Sequence, residues 1–401
     1  MTLIPGITIR SATEDDAAAI ELLGDTAFGM HTGPEHGDMI RHVFPTAEAI
    51  VAVDNGSIIG HIRSTTMTLT VPDERTVEVC GIAGVSVAPT HRRRGILRAM
   101  YTEQHRRTEA AGLPLTIFTV SQGAIYGRFG YGPTIRENAV TIDRRFGEFL
   151  PSTPDPGGGT LRTVTDAADS VRAIYDRWRR LVPGAQERPN ARWDMMFADP
   201  VPFRGGGTNL FAFVHPDGYA LYRYHHREYG KTAVVAEMRT VTADAHAALW
   251  RALFGLELCT HIEAVLTDND PLPYLLTDLR LVRTTSRHDG LWLRLMDVPA
   301  ALNARSYRRD LDVVFAVTDP FRDASGTFAL RVRDGIADCT PTDRTADIEL
   351  GIDVLGSMYL GAYPARVFAA ANRLRAKDSG QLRAIDEAFG AERDAELGWF
   401  F

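Results

Sequence analysis

The stretch "EVCGIAGVSVAPTHRRRGILRAM", residues 78–100, decides how this chain folds. Its first half is rich in β-branched residues and stops at Pro89; its second half places Arg92, Arg93 and Arg94 before Gly95 and then opens the helical spacing Ile96, Leu97, Met100. A strand running into a helix in this way gathers the backbone N–H groups of residues 93–98, which lack partners inside the helix. The helix dipole adds about half a positive charge at the same point. Gly95 lets the backbone approach a ligand closely, and the arginines neutralise it from the rim. Cations at a helix start oppose the dipole, so the run suits a bound pyrophosphate better than a solvated turn.

Working outward, "ITIRS" (7–11) reads as a strand and "TEDDAAAIELLGDTAF" (13–28) as a helix capped by Thr13. "AIVAVDNGSIIGHIRSTTMTLTV" (49–71) holds two strands joined at Asn55-Gly56, a hairpin signal. "PLTIFTVS" (114–121) is a further strand, and "GAIYGRFGYG" (123–132) a short helical turn. The order predicts an α/β or α+β domain over 1–150. "PSTPDPGGG" (151–159) cannot continue a helix or a central strand and serves as the linker.

Beyond it, "DSVRAIYDRWRRLV" (169–182) has amphipathic spacing, and "NLFAFVHPDGYALYRYHHR" (209–227) reads as a hairpin. "TAVVAEMRTVTADAHAALWRALFGL" (232–256) repeats the plan of the opening stretch, with Ala, Ala and Leu where the first copy has the arginines and glycine. Residues 151–290 are therefore expected to be a duplicated fold that has lost its anion site, leaving one site per chain. A third domain is expected over 291–401: strand and helix in "LWLRLMDVPAALNARSY" (291–307), a strand pair over 310–335, and helices over 357–377 and 380–390. The chain closes on "ELGWFF", unusually apolar for a terminus.

A net charge of −7 over 401 residues, with no domain-wide excess of Lys and Arg, argues against a nucleic-acid partner. Three cysteines, Cys80, Cys259 and Cys339, without CxxC spacing, fit buried thiols in a reducing compartment. The opening residues lack an apolar core for a signal peptide, and no run approaches a membrane span, so a cytoplasmic protein is expected. The histidines, His36, His42, His225 and His226 among them, show no metal-ligand spacing.

"V-x-V-x-P-x-x-R-x-x-G-I-L" followed by "IYGRFGY" resembles the GNAT acetyltransferases, whose coenzyme motif is Q/R-x-x-G-x-G/A. Arg92 and Gly95 match, and Leu97 stands where Gly or Ala is usual. The wider set "HPDGYALYR" (215–223), "VTADAHAALWRALFGL" (241–256), "DPLPYLLTD" (270–278), "DGLWLRLMDVPAAL" (289–302) and "AANRLRAKDS" (370–379) resembles the Eis acetyltransferases of mycobacteria and their relatives over nearly the whole chain. The resemblance implies tandem GNAT folds, the second degenerate, a C-terminal sterol-carrier-protein-like domain, and a homohexamer. It implies acetyl-CoA as donor and a primary amine as acceptor, among them aminoglycosides, polyamines and protein lysines.

Carried over by position, the coenzyme contacts fall on Val85, Ser86 and Val87, on Arg92, Arg93, Arg94, Gly95, Ile96, Leu97 and Arg98, and on Ser121 and Gln122. Tyr126 matches the general acid, and the α-carboxylate of Phe401 the general base, with Trp399, Phe400 and Phe401 buried to hold it. The chemistry is coherent. An amine attacks a thioester only when neutral, a lysine-like amine has a pKa of about 10.4, and a placed carboxylate can take its proton. Met30 and Phe400 occupy the positions of the family's acceptor-site acids; Asp25, Glu35, Asp38 and Glu396 are the compensating candidates. The other reading is a non-catalytic acyl-CoA or lipid-binding assembly.

Overall fold

The computed structural model describes residues 6–30, 33–227 and 230–401, with the side chain of Glu35 left out. Two compact units result. The first joins three stretches, residues up to 135, 183–192 and 290–401; the second comprises 136–182 and 193–289.

In the first unit, β1 (Ile7–Ser11), β2 (Ile50–Asp54), β3 (Ser57–Val71), β4 (Arg75–Val87), β5 (Leu115–Phe118) and β6 (Gly132–Pro133) form a sheet with helices α1 (Ala17–Phe28), α2 (Pro34–Val43) and α3 (Ile96–Ala110). β2 and β5 are apolar but for Asp54 and Thr116 and are almost wholly buried, as suits central strands. Asn55 and Gly56 both take positive φ and close the β2–β3 hairpin, the two-residue turn their sequence demands. The helical region after Thr13 starts as a tight turn whose Asp16 carboxylate accepts from Thr13 N–H at 2.8 Å.

Two features of this sheet position the site. First, Gly84 and Val85 of β4 face the single Ile62 of β3, a bulge that Gly84 absorbs at φ +59°. Second, β4 pairs in parallel with β5 only at Cys80–Thr116 and Gly81–Ile117, after which the strands part. Beneath the bulge His61 is fully buried, its Nδ1 2.9 Å from Ser86 Oγ.

The sheets exchange strands across the boundaries expected at 150 and 290. Trp292–Leu295, read as the start of the third domain, inserts between β5 and β6. Arg136–Asp143, read as the end of the first, joins the second unit's sheet between Cys259–Leu266 and Val282–Asp289. The reason is burial: Leu293 and Leu295 are sealed, and Arg294 is fully buried against Asp319, also donating to Phe129 O at 2.6 Å.

In the second unit Val164–Leu181 buries Val171, Ile174, Tyr175 and Trp178 along one face, and Ala243–Phe254 is capped by Thr242. Gly230–Thr240 leading into this helix is a second strand-to-helix unit, without an arginine run at the helix start. The C-terminal part of the first unit has its own sheet, built on the antiparallel pair Leu311–Thr318 and Gly326–Arg333. Its single helix expected over 357–377 is instead two short helices, Ile352–Met358 and Ala365–Ala370, and a strand, Leu374–Ala376. Gly361 at φ +89° and Pro364 break it. The three cysteines are free and buried.

Removing one partner of the Arg294–Asp319 pair strands a buried charge. Arg294→Met is expected to cost about 3–5 kcal/mol, read as a fall in the urea midpoint of the first unit; an unchanged midpoint would show the pair to be dispensable. Burial pushes the His61 pKa from 6.5 down to about 3. The folded form therefore keeps it neutral where the unfolded chain takes up a proton, and stability is lost as pH falls from 6.5 toward 3. His61→Gln is expected to flatten that decline of the midpoint with acid, and an equally steep decline would exclude His61 as a cause.

Candidate active site

The parted strands define the site. Ala88 N–H donates to Ile59 O, so alternation turns the polar groups of Ser86 toward β3 and those of Val85 and Val87 toward the open side. Val85 and Val87 thus offer a free strand edge to an extended ligand carrying amide groups. Ser86, named with them from the sequence, is committed elsewhere: its backbone serves β3 and its hydroxyl meets His61.

At the end of β4 the chain turns through Pro89–His91 and reaches Gly95 at φ +78°, which caps α3 with no side-chain hydrogen bond. The first helical bond runs from Ala99 N–H to Gly95 O, leaving the amides of Ile96, Leu97 and Arg98 at the open end. Arg93 also takes positive φ, folding the arginine run into a tight loop. Arg92 and Arg93 are exposed and make no ion pair among the described residues. Arg94 stands 3.9 Å from Asp54, and Arg98 lies over the Phe321 ring at 4.9 Å. Ser121 and Gln122 are exposed just past the end of β5, on the far side of the opening.

Tyr126 is 8% exposed and packs on Phe118, Tyr101 and Trp292. Burial raises its pKa, so the hydroxyl stays protonated in neutral solution, and no hydrogen bond holds it among the described residues. Trp292, which the sequence reading placed in another domain, reaches Tyr126 because its strand lies in this sheet.

Phe401 lies at the same place. Thr119 Oγ1 donates to Phe401 O, and the Phe401 ring stacks on Phe44 at 6.4 Å and meets Trp399 at 5.2 Å. The tail leading there is held by a segment the sequence did not reveal. Gln186 Oε1 accepts from Gly398 N–H at 3.1 Å and Trp399 N–H at 3.3 Å, Arg188 donates to Gly398 O at 2.8 Å, and Trp399 Nε1 donates to Glu187 O at 3.0 Å. That segment lies along β3, with Gly184 N–H donating to Thr70 O and Thr70 N–H to Ala185 O. Phe400 corrects the expectation of three buried aromatics: it is 63% exposed.

The acceptor-site candidates divide. Met30 is 48% exposed after α1. Asp38 and Glu21 both bond Arg41, Asp25 acts through its charge on His36 and Arg63, and Glu396 donates its N–H to Pro183 O. The side chain of Glu35 lies outside the described residues. Among those residues no grouping of His, Cys, Asp and Glu could hold a metal ion, and no helix is long and apolar enough to cross a membrane.

Comparison with known proteins identifies the domains. Residues 8–134 and 184–296 each match an acetyltransferase (GNAT) domain, and 298–395 a sterol carrier protein domain. N-acetyltransferase Eis of Mycobacterium tuberculosis is 46% identical, covering 98% of this chain and 100% of its own. An uncharacterized N-acetyltransferase of Streptomyces avermitilis is 35% identical over 90% of this chain and 91% of its own. The crystal structure of Eis1 from Mycobacterium abscessus superposes with a TM-score of 0.87 at 29% identity, covering 98% of this chain and 100% of that one. With its tandem GNAT folds, sterol-carrier-like domain and full-length likeness, the chain belongs to the Eis family of GNAT N-acetyltransferases.

Proposed function

We propose that this enzyme transfers the acetyl group of acetyl-CoA to a primary amine by direct attack, with Tyr126 as general acid and the Phe401 carboxylate as general base. The observation that carries the reading is that both groups anchor on consecutive residues at the end of β5. Tyr126 packs on Phe118, and Phe401 bonds Thr119, beside the opening between β4 and β5.

Val85 and Val87 pair with the amides of the coenzyme arm, and Ser121 and Gln122 flank it from the other strand. The amides of Gly95, Ile96, Leu97 and Arg98 receive the pyrophosphate, with Arg92, Arg93 and Arg94 neutralising its charge and Arg98 closing the rim. The Phe401 carboxylate takes the proton of the incoming amine. As the amine nitrogen bonds the carbonyl carbon, the carbon–sulfur bond breaks and Tyr126 protonates the departing thiolate. Holding both reactants in place supplies much of the rate. The resemblance to the Eis acetyltransferases implies a homohexamer, and the three free, buried cysteines suit a reducing compartment. Against the alternative of a non-catalytic acyl-CoA or lipid-binding assembly stands a fully buried charge in the sterol-carrier-like part: Arg305 donates to Phe389 O at 2.9 Å and lies over the Tyr307 and Phe389 rings.

Tyr126→Phe is expected to lower kcat by about 100-fold or more while the Kd for acetyl-CoA stays unchanged; wild-type turnover would remove Tyr126 from the mechanism. Adding one alanine after Phe401 carries the carboxylate about 3.8 Å away and is expected to collapse kcat by a comparable factor, again with coenzyme binding intact. Undiminished turnover of the extended chain would exclude the terminal carboxylate as base.

A further inference from the structure

Arg63 has no part in the chemistry above, yet it stands beside it. It shares the face of β3 with His61, which α1 covers at Gly24. In the ladder it faces Ala83, two residues before Val85, and the bulge brings it over Gly84, where a Cβ would lie 3.8 Å from its Nη1. Two strand residues span roughly 7 Å, about the reach of a short aliphatic chain from Arg63 to the edge offered by Val85.

The charges around it are already spent or are like its own. Glu21 bonds Arg41, and Arg41 also bonds Asp38. Glu21 and Asp25 act on Arg63 through their charge, Glu21 the more strongly, and Arg41, between them in strength, repels it. On α2, His36 is disfavoured as a cation by burial and by Arg192 and Arg63. Arg192 lies over the Trp399 ring, which meets Phe401, which stacks on Phe44 at the end of α2. The chain terminus and Arg63 therefore share the α1–α2 side of the sheet.

Arg63 itself is half-buried and makes no hydrogen bond or ion pair among the described residues. A guanidinium cannot shed its charge, and its forked N–H groups match a carboxylate. Met30 supplies no counter-charge, and exposed Phe400 supplies none either.

We propose that Arg63 receives an anionic group of the acceptor, so that the preferred substrate is a primary amine that also carries a carboxylate. The inference rests on the acetyltransferase reading. A polycation meets repulsion from Arg63 in this site, whereas an amino acid with its amine on a flexible chain spans from the guanidinium to the thioester.

Matched pairs test it: L-lysine against cadaverine and L-ornithine against putrescine, which differ only in the carboxylate. CoA release by the wild-type protein is expected to favour each amino acid at least about tenfold in kcat/KM, the worth of one charge-assisted hydrogen bond, mainly through KM. Arg63→Met is expected to bring the ratio close to one, and Arg63→Lys to keep part of it. Calorimetry on the CoA-loaded protein gives a second readout, with L-lysine expected to bind more tightly than cadaverine and to lose that advantage in Arg63→Met. Diamines acetylated as well as the amino acids, or a ratio unmoved in Arg63→Met, would overturn the inference while leaving the acetyltransferase standing. If no amine were acetylated, the acetyltransferase reading would fall, and the calorimetric comparison would still decide whether Arg63 binds the carboxylate.

Discussion

The parting of β4 from β5 beyond Gly81 and Ile117 is the constraint on which the rest depends. A central strand that loses a neighbour leaves backbone N–H and C=O groups to be satisfied by something else. The bulge at Gly84–Val85 bends β4 at that point, and the positive φ of Gly84 makes the bend cheap. The opening runs directly into the unpaired amides at the start of α3. One groove therefore offers strand-like pairing along its length and an anion site at its end. Phe118 and Thr119 close the other side, and through them Tyr126 and Phe401 are fixed relative to the groove.

Fixing Phe401 requires more than its own ring. Residues 184–187 run along β3 and carry Gln186, fully buried, whose single side-chain carbonyl oxygen gathers the amides of Gly398 and Trp399. Gly184 is confined to φ +89°, and a Cβ there would strike Ile135 and crowd Glu396 O. The tail is thus seated on a platform with little freedom to drift, which suits a group that must meet an amine within hydrogen-bond reach.

What the sequence made legible was local. Asn55-Gly56, the arginine run with Gly95 and the capped Ala243–Phe254 helix announce themselves within a few residues, because their conformations follow from local chemistry. The bulge was not legible: nothing in "GIAGVSV" says which residue of the partner strand it faces. The insertion of Trp292–Leu295 and the platform around Gln186 were hidden for the same reason, since a strand's neighbours are chosen by distant packing. Ser86 and Phe400 mark the limit of carrying roles over by position. Burial turned the first inward, and alternation along the tail turned the second outward.

The strand Trp292–Leu295 also bears on how the chain becomes a protein. Synthesis delivers the N-terminal residues first, but the sheet they belong to lacks an interior strand until nearly three quarters of the chain has emerged. Until then β5 presents an unpaired, largely apolar edge beside an unfilled core, the kind of surface on which nascent chains aggregate. The loop to be closed is long, so the first half must wait for the second rather than fold ahead of it. The first unit's sheet is consequently completed only by a strand from late in the chain, and cutting the gene at the apparent domain boundary separates that sheet from its own middle.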